Sequence, residues 1–239
     1  MVCPMKSSLP LFTVLLSIIS CACSTARVSP ITTQFQGIKP RELFSIACSI
    51  GSALQSSSGE ASLKVKSKEI SGQFNAQIKA THLRSLVLQI EHPLKGPIAQ
   101  VSIQKENYEI QTFDQDPPYT ERGVGSWNGI PLGLIHMLFL GRVPCPEDSA
   151  LTELILSPEG DLRVREKNQD QWTYQFRVWN GKPWPERIIW ERAGRARGRF
   201  EMILDDPDPQ SLSALSPLKW EVQSNEGLIK VRWKERASD

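Results

Sequence analysis

From residue 60 onward, apolar and polar residues alternate in short runs that are separated by turn residues. Leu63 and Val65 alternate with lysines, and the same period of two recurs in 74–78, 86–90, 99–103 and 108–113. Beyond residue 150 it returns in 154–156, 162–164, 172–178, 188–190, 200–204 and 228–233. Strict alternation with short connections is typical of antiparallel strands with one apolar and one polar face. The pattern predicts a mainly β protein of about ten or eleven strands.

Two segments carry a helical pattern instead. After Pro40, which suits a first helical turn, apolar residues fall on one helical face: Leu43, Phe44, Ala47, Ile50 and Leu54. Residues 127–141 are the most apolar stretch after the N-terminal region, with Pro131 as a start and Gly141 as a left-handed stop. Because a single meander cannot cover its own apolar face, we expect both helices to lie against it.

The N-terminus is a different kind of segment. Lys6 is the only charge before residue 21, and residues 9–19 are apolar, which is too short for a bilayer span but right for a signal peptide. Ile18, Ile19, Ser20 and Cys21 then resemble a bacterial lipobox. We therefore expect cleavage before Cys21 and acylation of its thiol, which would anchor the chain to a membrane.

The alternative is an ordinary secretory signal with incidental cysteines. Cys23 is a competing acceptor, although a polar residue precedes it where an aliphatic one is preferred. Residues 22–37 are rich in Ser and Thr and have no period, as expected of a flexible tether. The predicted organisation is thus a signal peptide in 1–20, a lipidated tether in 21–38 and a single β domain in 39–239, in which the assignment of the tail beyond 204 is the weakest part.

Composition excludes several classes of protein. The chain has 239 residues, 40% of them hydrophobic, which argues against intrinsic disorder. A net charge of +2 gives no footprint for binding nucleic acid by bulk charge. The three histidines are His82, His92 and His136, and none stands at metal-ligand spacing. With no nucleophile motif either, we predict neither an enzyme nor a cofactor or metal site.

Two cysteines belong to the predicted domain. Cys48 lies on the first helix and Cys145 just after the second, and a domain outside the inner membrane can form disulfides. A bridge between them would tie the helices together, but two buried free thiols explain the residues equally well. His136 sits in an apolar helix, where a hydrogen-bonded core histidine is the favoured interpretation. The arginines at 192, 195, 197 and 199 fit a solvated loop or, alternatively, contacts with lipid phosphates.

The order of a helix, a meander, an apolar helix and a further meander resembles the LolA/LolB superfamily of lipoprotein carriers and receptors, over about residues 40–204. One specific point is 86–101, where two strands flank the turn His92-Pro93-Leu94-Lys95-Gly96, at the place of a Ser-Pro-Leu-Gly turn in the LolB family. Another is the stretch 127–144, a short apolar helix that ends in Leu-Gly-Arg-Val-Pro. The chain departs from the family in the inserted Lys95, in Pro97 and in the tail.

The resemblance implies an incomplete antiparallel barrel whose concave face is closed by helices around an apolar cavity for acyl chains. It implies that Leu94 enters a membrane, that a LolA-like periplasmic carrier is a partner and that the protein inserts lipoproteins into the outer membrane, acting as a monomer. Ala22 after Cys21, rather than Asp, agrees with the outer membrane. The predicted cavity residues are Leu43, Phe44, Ala47, Ile50, Leu54, Val101, Ile103, Leu134, Ile135, Leu138, Phe139, Phe176 and Val178.

A second interpretation keeps the same fold but not the ligand. If side chains fill the domain completely, the protein is a structural or scaffolding lipoprotein of the envelope. The two interpretations differ in whether the domain has an open apolar site of several hundred Å³, the size of ligand sites generally.

Overall fold

Thirteen antiparallel strands form one continuous sheet, and two helices lie against it. The computed structural model describes residues 37–67, 71–113, 117–127, 130–194, 198–205, 207 and 216–238. The helices are α1 (Pro40–Ser49) and α2 (Leu132–Leu140). The strands are β1 (Ser56–Ser67), β2 (Ser71–Thr81), β3 (Ser85–His92), β4 (Gly96–Gln104), β5 (Asn107–Thr112), β6 (Tyr119–Val124), β7 (Ser126–Trp127), β8 (Ile130–Pro131), β9 (Leu151–Leu156), β10 (Leu162–Glu166), β11 (Gln171–Trp179), β12 (Lys182–Glu191), β13 (Arg199–Leu204), β14 (Lys219–Ser224) and β15 (Gly227–Ser238).

The strand order across the sheet is β6-β5-β4-β3-β2-β1-β15-β14-β13-β12-β11-β10-β9. Every neighbouring pair is antiparallel, and β6 and β9 are the two edges, so the sheet is not closed. The short strands β7 and β8 pair only with each other. The expected mainly β, incomplete antiparallel barrel with helices against its apolar face is confirmed.

The C-terminal tail is an integral part of this sheet, at its centre. β15 pairs with β1 on one side and with β14 on the other, and so joins the first six strands to the remaining ones. Val231 and Trp233 of β15 are buried in the core. β14 and β15, which lie beyond residue 204, therefore belong to the same sheet as the strands before them. The alternation over 228–233 is visible in the sequence, but pairing over a separation of 160 residues or more is not.

Two expected boundaries move for local reasons. The segment 114–126 shows no alternation of apolar and polar residues, yet it contains β6, because polar residues on an edge strand hide the period of two. The first helix ends at Ser49, before Ile50 and Leu54. At Gly51 the chain adopts a φ of +66°, and a Cβ there would lie 2.2 Å from the carbonyl oxygen of Gly141. The ends of the two helices approach so closely that only glycine fits, and this contact stops α1 one turn early.

The helices cover different parts of the concave face. α1 packs against β9, β10 and β12, whereas α2 packs against β1, β2 and β3. α2 begins after Pro131 and ends at Gly141, whose φ is +89°, as the sequence predicted for its stop. Within the described part of the chain, neither helix is long and apolar enough to cross a bilayer.

The sheet has two rims, and the topology assigns every turn to one of them. The entry rim carries the 93–95 turn, Phe113, the start of β6 and the start of β9. The far rim carries the 82–84 turn, the 105–106 turn and the 180–181 turn. Arg41 in the first turn of α1 pairs with Asp148, three residues before β9, at 2.6 Å. The described chain therefore starts at the entry rim.

Candidate functional site

Most of the residues predicted to line the concave face do lie in the interior. Ten of the thirteen belong to the buried cluster, and two more, Val101 and Ile135, are half-buried against it. The ten are Leu43, Phe44, Ala47, Ile50, Leu54, Ile103, Leu134, Leu138, Phe139 and Phe176. Whether they line a cavity that accepts a ligand stays a prediction.

Val178 is the exception, because its side chain is 39% exposed. The alternation in β11 would bring it to the same face as Phe176, which is buried. However, Val178 lies just before the far-rim turn at 180–181, and the pairing of β11 with β12 shifts at Phe176. Val178 therefore does not belong to the interior set.

Aromatic side chains fill the half of the concave face beneath α1. Trp172 packs against Tyr174, Trp190 and Phe200 with ring centroids 6.3 Å apart, and Phe44 of α1 meets the Tyr174 ring edge-on. The buried Tyr174 hydroxyl donates a hydrogen bond of 3.0 Å to the carbonyl of Pro144, and burial raises the pKa of this phenol well above its ordinary value. These rings pack against one another in the core beneath α1.

The other half is covered less completely. Ile78, Leu88, Val101 and Ile110 stand directly opposite one another on β2, β3, β4 and β5, and so share the concave face. Ile78 and Leu88 are buried against α2, whereas Val101 and Ile110 are half-buried. The adjacent row across the same strands shows the same decrease in burial. Ala76 is buried, whereas Ile90, Ala99 and Thr112 are half-buried. We name the half-buried apolar residues the open strip: Ile90, Ala99, Val101 and Ile110.

A tyrosine borders the open strip on β5. The Tyr108 hydroxyl donates a 2.7 Å hydrogen bond to Glu121 of β6, and this bond and burial raise the pKa of the phenol. A Cβ on Gly123, opposite Tyr108, would lie 2.3 Å from the Tyr108 ring. Gly123 therefore lets the ring lie flat over the edge strand. The sequence alone carries no signal of this role for Gly123.

The junction between the two helices is bonded covalently. Cys48, at the end of α1, and Cys145, after α2, form a disulfide. Of the two alternatives that the sequence left open, the structure therefore has the bridge. It closes a loop over a sequence separation of 97 residues and fixes α1 against the segment that follows α2.

Arg236 of β15 holds the end of α2. Its guanidinium donates hydrogen bonds of 2.9 Å to the carbonyl of Leu140 and to the Ser57 hydroxyl, and a further one to Ser216. It also lies 5.1 Å from the centroid of the Trp233 ring. Sequence reasoning missed Arg236, because a charged residue near the C-terminus looks solvated until β15 is placed beside β1.

His136 is a buried, hydrogen-bonded histidine, as its apolar helix indicated. Its Nε2 atom lies 2.5 Å from the carbonyl oxygen of Thr81, so this nitrogen carries the hydrogen. Burial lowers the pKa of the imidazole, and Arg142 and Arg84 add to the shift, against the opposing effect of the Thr81 hydrogen bond. The contact joins α2 to the end of β2 on the far rim.

Leu94 lies at the tip of the turn between β3 and β4, where 91% of it is exposed. The backbone N–H of Leu94 donates to His92 Nδ1 at 3.1 Å, and that of Lys95 to the His92 carbonyl at 3.2 Å. The turn is therefore held by His92 while the Leu94 side chain points away from the core.

Two clefts are open to solvent in the described structure. One, of about 500 Å³, lies between α1 and 146–148 and is bordered by Arg41, Phe44 and Cys48. The other, of about 280 Å³, lies along β9 and β10. Of the predicted cavity residues only Phe44 borders either cleft.

Several predictions lie outside the described residues. They are the signal peptide, Cys21 and Cys23, and most of the tether. Arg195 and Arg197 lie outside them as well. Among the residues that the structure does describe, no three His, Cys, Asp or Glu side chains are grouped as a metal site would require.

Solved structures share the architecture of this chain. A LolA superfamily protein from Nitrosomonas europaea matches with a TM-score of 0.50 and 9% identity, over 83% of this chain and 93% of that one. A domain described as an outer membrane lipoprotein-sorting protein, from Vibrio parahaemolyticus, matches with a TM-score of 0.50 and 6% identity, over 77% and 86%. A DUF1329 family protein from Desulfovibrio piger matches with a TM-score of 0.53 and 8% identity, over 88% and 94%.

Comparison by sequence gives no match, either to a protein-family model or to a curated protein. The likeness is thus one of fold: an open antiparallel half-barrel of the LolA/LolB type, with helices on its concave face. At the level of the fold, the resemblance to the LolA/LolB superfamily that the sequence indicated is confirmed.

Proposed function

We propose that this protein is a membrane-anchored lipoprotein that holds acyl chains of lipids or lipoproteins on the concave face of its sheet. The observation that carries the proposal is the open strip. Val101 and Ile110 continue the row of Ile78 and Leu88 beyond the part that α2 covers. A half-barrel with an apolar strip partly open to solvent offers a place where an alkyl chain can replace water, at about 25 cal/mol per Å² of apolar surface buried.

We also infer the position of the ligand from the open strip. The half beneath α1 is filled by Trp172, Tyr174, Trp190 and Phe200, so we place the acyl chain between α2 and strands β3 to β5. The site binds and performs no chemistry, because the residues that line it are aliphatic.

The finer proposal concerns the location of the protein, the source of its ligand and the delivery of that ligand to a membrane. We place the protein in the outer membrane, held by acylated Cys21 with its domain facing the periplasm, and we propose that it receives lipoproteins from a LolA-like carrier. Support comes from the lipobox and from Ala22 in the sequence, and from the printed description of the Vibrio parahaemolyticus domain as lipoprotein-sorting. Leu94, exposed at the turn between β3 and β4, is the residue that we propose enters the bilayer during delivery.

Native mass spectrometry of the protein extracted in mild detergent tests the binding proposal. We expect copurified species with the mass of acylated lipids or peptides. Val101→Asp should reduce them at least tenfold, since a carboxylate on the open strip would have to be desolvated beside the alkyl chain. Ser102→Asp is the matched control, because the neighbouring residue faces the opposite side of the same strand.

Ile110→Asp, on the less buried next strand, repeats the test if the Val101→Asp protein proves unstable. Copurified lipid that is unchanged in both folded variants would contradict the proposed site. Acylation itself is tested by metabolic labelling with palmitate, which Cys21→Ser should abolish and Cys23→Ser should leave unchanged.

A scaffolding lipoprotein without a ligand is the second candidate. The observation that favours it is the aromatic packing beneath α1, which fills half of the concave face. A protein that carries no acylated species after extraction, and takes up none from added lipid, would favour this candidate.

A further inference from the structure

Exposed apolar side chains occur at both rims of the sheet. At the entry rim they are Leu94, Phe113 and Tyr119, the last two with 43% and 55% of their surface exposed. At the far rim Leu83 and Val124 are each 71% exposed. Exposure alone therefore does not distinguish the rims.

Two further observations do distinguish them. The described chain enters the fold at the entry rim, where Arg41 of α1 pairs with Asp148 just before β9. Phe113 and Tyr119 are aromatic, and such side chains prefer the boundary between lipid headgroups and acyl chains. Exposed lysines lie at both rims: Lys66, Lys95 and Lys167 at the entry rim, and Lys105 and Lys182 at the far rim.

Phe113 and Tyr119 belong to one tip. Phe113 follows β5 directly, and its N–H donates a hydrogen bond of 2.8 Å to the carbonyl of Ile98 on β4. Tyr119 is the first residue of β6 and stands opposite Thr112, the last of β5. Phe113 is level with Ile98, so the β3–β4 turn that carries Leu94 extends about three residues, or about 10 Å, beyond this tip along the strands, and it is displaced sideways by about two strand spacings of about 4.8 Å each.

We propose that Phe113 and Tyr119 form a second membrane contact beside Leu94, so that the entry rim faces a lipid bilayer whose headgroups are anionic. The inference rests on the proposed function, since it assumes that the protein works at a membrane. A single exposed leucine would leave the domain free to rotate about one point. Two tips on adjacent hairpins fix its orientation, with the strands of the open strip inclined to the lipid surface because the Leu94 turn extends further than the second tip.

The lysines supply the electrostatic part of this contact. Lys95 is next to Leu94 in the turn, and Lys66 is the penultimate residue of β1, on the same rim. Each basic residue close to an anionic surface adds attraction that falls off within a Debye length. Arg192 also lies on this rim, stacked over Trp190 with its guanidinium carbon 5.8 Å from the ring centroid.

Nitroxide labels test the orientation directly. The full-length protein, with Cys23→Ser, receives one label at a time through Leu94→Cys, Phe113→Cys, Tyr119→Cys, Leu83→Cys or Val124→Cys. Each protein is reconstituted into vesicles of phosphatidylethanolamine and phosphatidylglycerol. Collisions with oxygen and with a water-soluble nickel chelate then report the depth of each label.

We expect labels at 94, 113 and 119 to favour oxygen over nickel, and labels at 83 and 124 to give the ratio seen in water. The double variant Phe113→Ser with Tyr119→Ser should lower the ratio of oxygen to nickel accessibility measured for the label at 94, which means that this label moves outward. The double variant Leu83→Ser with Val124→Ser should leave that ratio unchanged. Labels at 113 and 119 that stay accessible to nickel overturn the proposal, as do immersed far-rim labels or a protein that does not associate with vesicles. Lipid copurification, which tests the binding site, is independent of these labels.

Discussion

The Arg236 guanidinium on β15 donates a hydrogen bond of 2.9 Å to the carbonyl of Leu140, the last residue of α2. The contact spans 96 residues of sequence. It joins the central strand of the sheet to the helix that covers the concave face, and it satisfies a carbonyl that the helix itself cannot bond.

Arg236→Ala should destabilise the protein by about 2–4 kcal/mol, because the hydrogen bonds of a charged donor to Leu140, Ser57 and Ser216 are lost together. Urea denaturation followed by tryptophan fluorescence measures the change. Arg232→Ala, at an exposed position on the same strand, is the control and should change stability by less than about 0.5 kcal/mol. Equal losses in the free energy of unfolding for both variants would contradict a stabilising role of the Arg236 hydrogen bonds.

Gly141→Ala should destabilise the protein more than Gly181→Ala. Both glycines have a positive φ, +89° and +75°, but only at Gly141 would a Cβ meet other atoms, 1.8 Å from an Arg236 nitrogen. At Gly181 only the backbone strain of about 1 kcal/mol applies. In an Arg236→Ala background the extra cost at Gly141 should shrink, since the side chain that is displaced is already gone. A cost that is independent of Arg236 would contradict the observed contact.

Stability should decrease as the pH falls below about 6.5, the ordinary pKa of an unfolded histidine, in a manner that depends on His136. Burial lowers the pKa of His136 in the folded protein. Between the two pKa values the unfolded chain therefore binds a proton that the folded protein does not, and acid favours unfolding. His136→Gln should flatten the dependence by up to about 1.4 kcal/mol per pH unit. Denaturation at several pH values between 7 and 5 measures it, and identical slopes for both proteins would rule out His136 as the cause.

Removal of the disulfide by Cys48→Ala with Cys145→Ala should lower the free energy of unfolding by about 3–5 kcal/mol, the range expected for a closed loop of about this length. The reduced wild-type protein should match the double variant in thermal and urea unfolding. A reductant that leaves the wild-type protein as stable as before, with the bridge shown by mass spectrometry to be open, would contradict the prediction.

Leu94→Glu should leave stability and ligand binding unchanged, because the side chain contacts water rather than the core. Delivery of a radiolabelled lipoprotein into vesicles should fail, since insertion of a leucine is worth about 1.5–3 kcal/mol and a carboxylate opposes it. Leu83→Glu, at the far rim, is the matched control. Normal delivery by a folded Leu94→Glu protein would contradict the proposed role.

Local patterns in the sequence determined much of this architecture. Alternation places residues on the two faces of a strand whatever their partners are, so Leu63, Phe74 and Ile78 could be assigned to the buried face in advance. Proline and glycine act within a few residues, which is why the end of α2 at Gly141 and the exposed turn at Leu94 were predictable.

Only the tertiary structure decided which strands pair and which part of the concave face the helices leave open. β15 could be placed beside β1 only through contacts between distant parts of the chain, and Arg236 gained its partners from that placement. Likewise, Val101 and Ile110 differ from Ile78 and Leu88 in whether α2 covers them. All four residues stand opposite one another on neighbouring strands and face the same side of the sheet. A period of two reveals the face of a residue, but the cover over that face depends on helices that pack from elsewhere in the sequence.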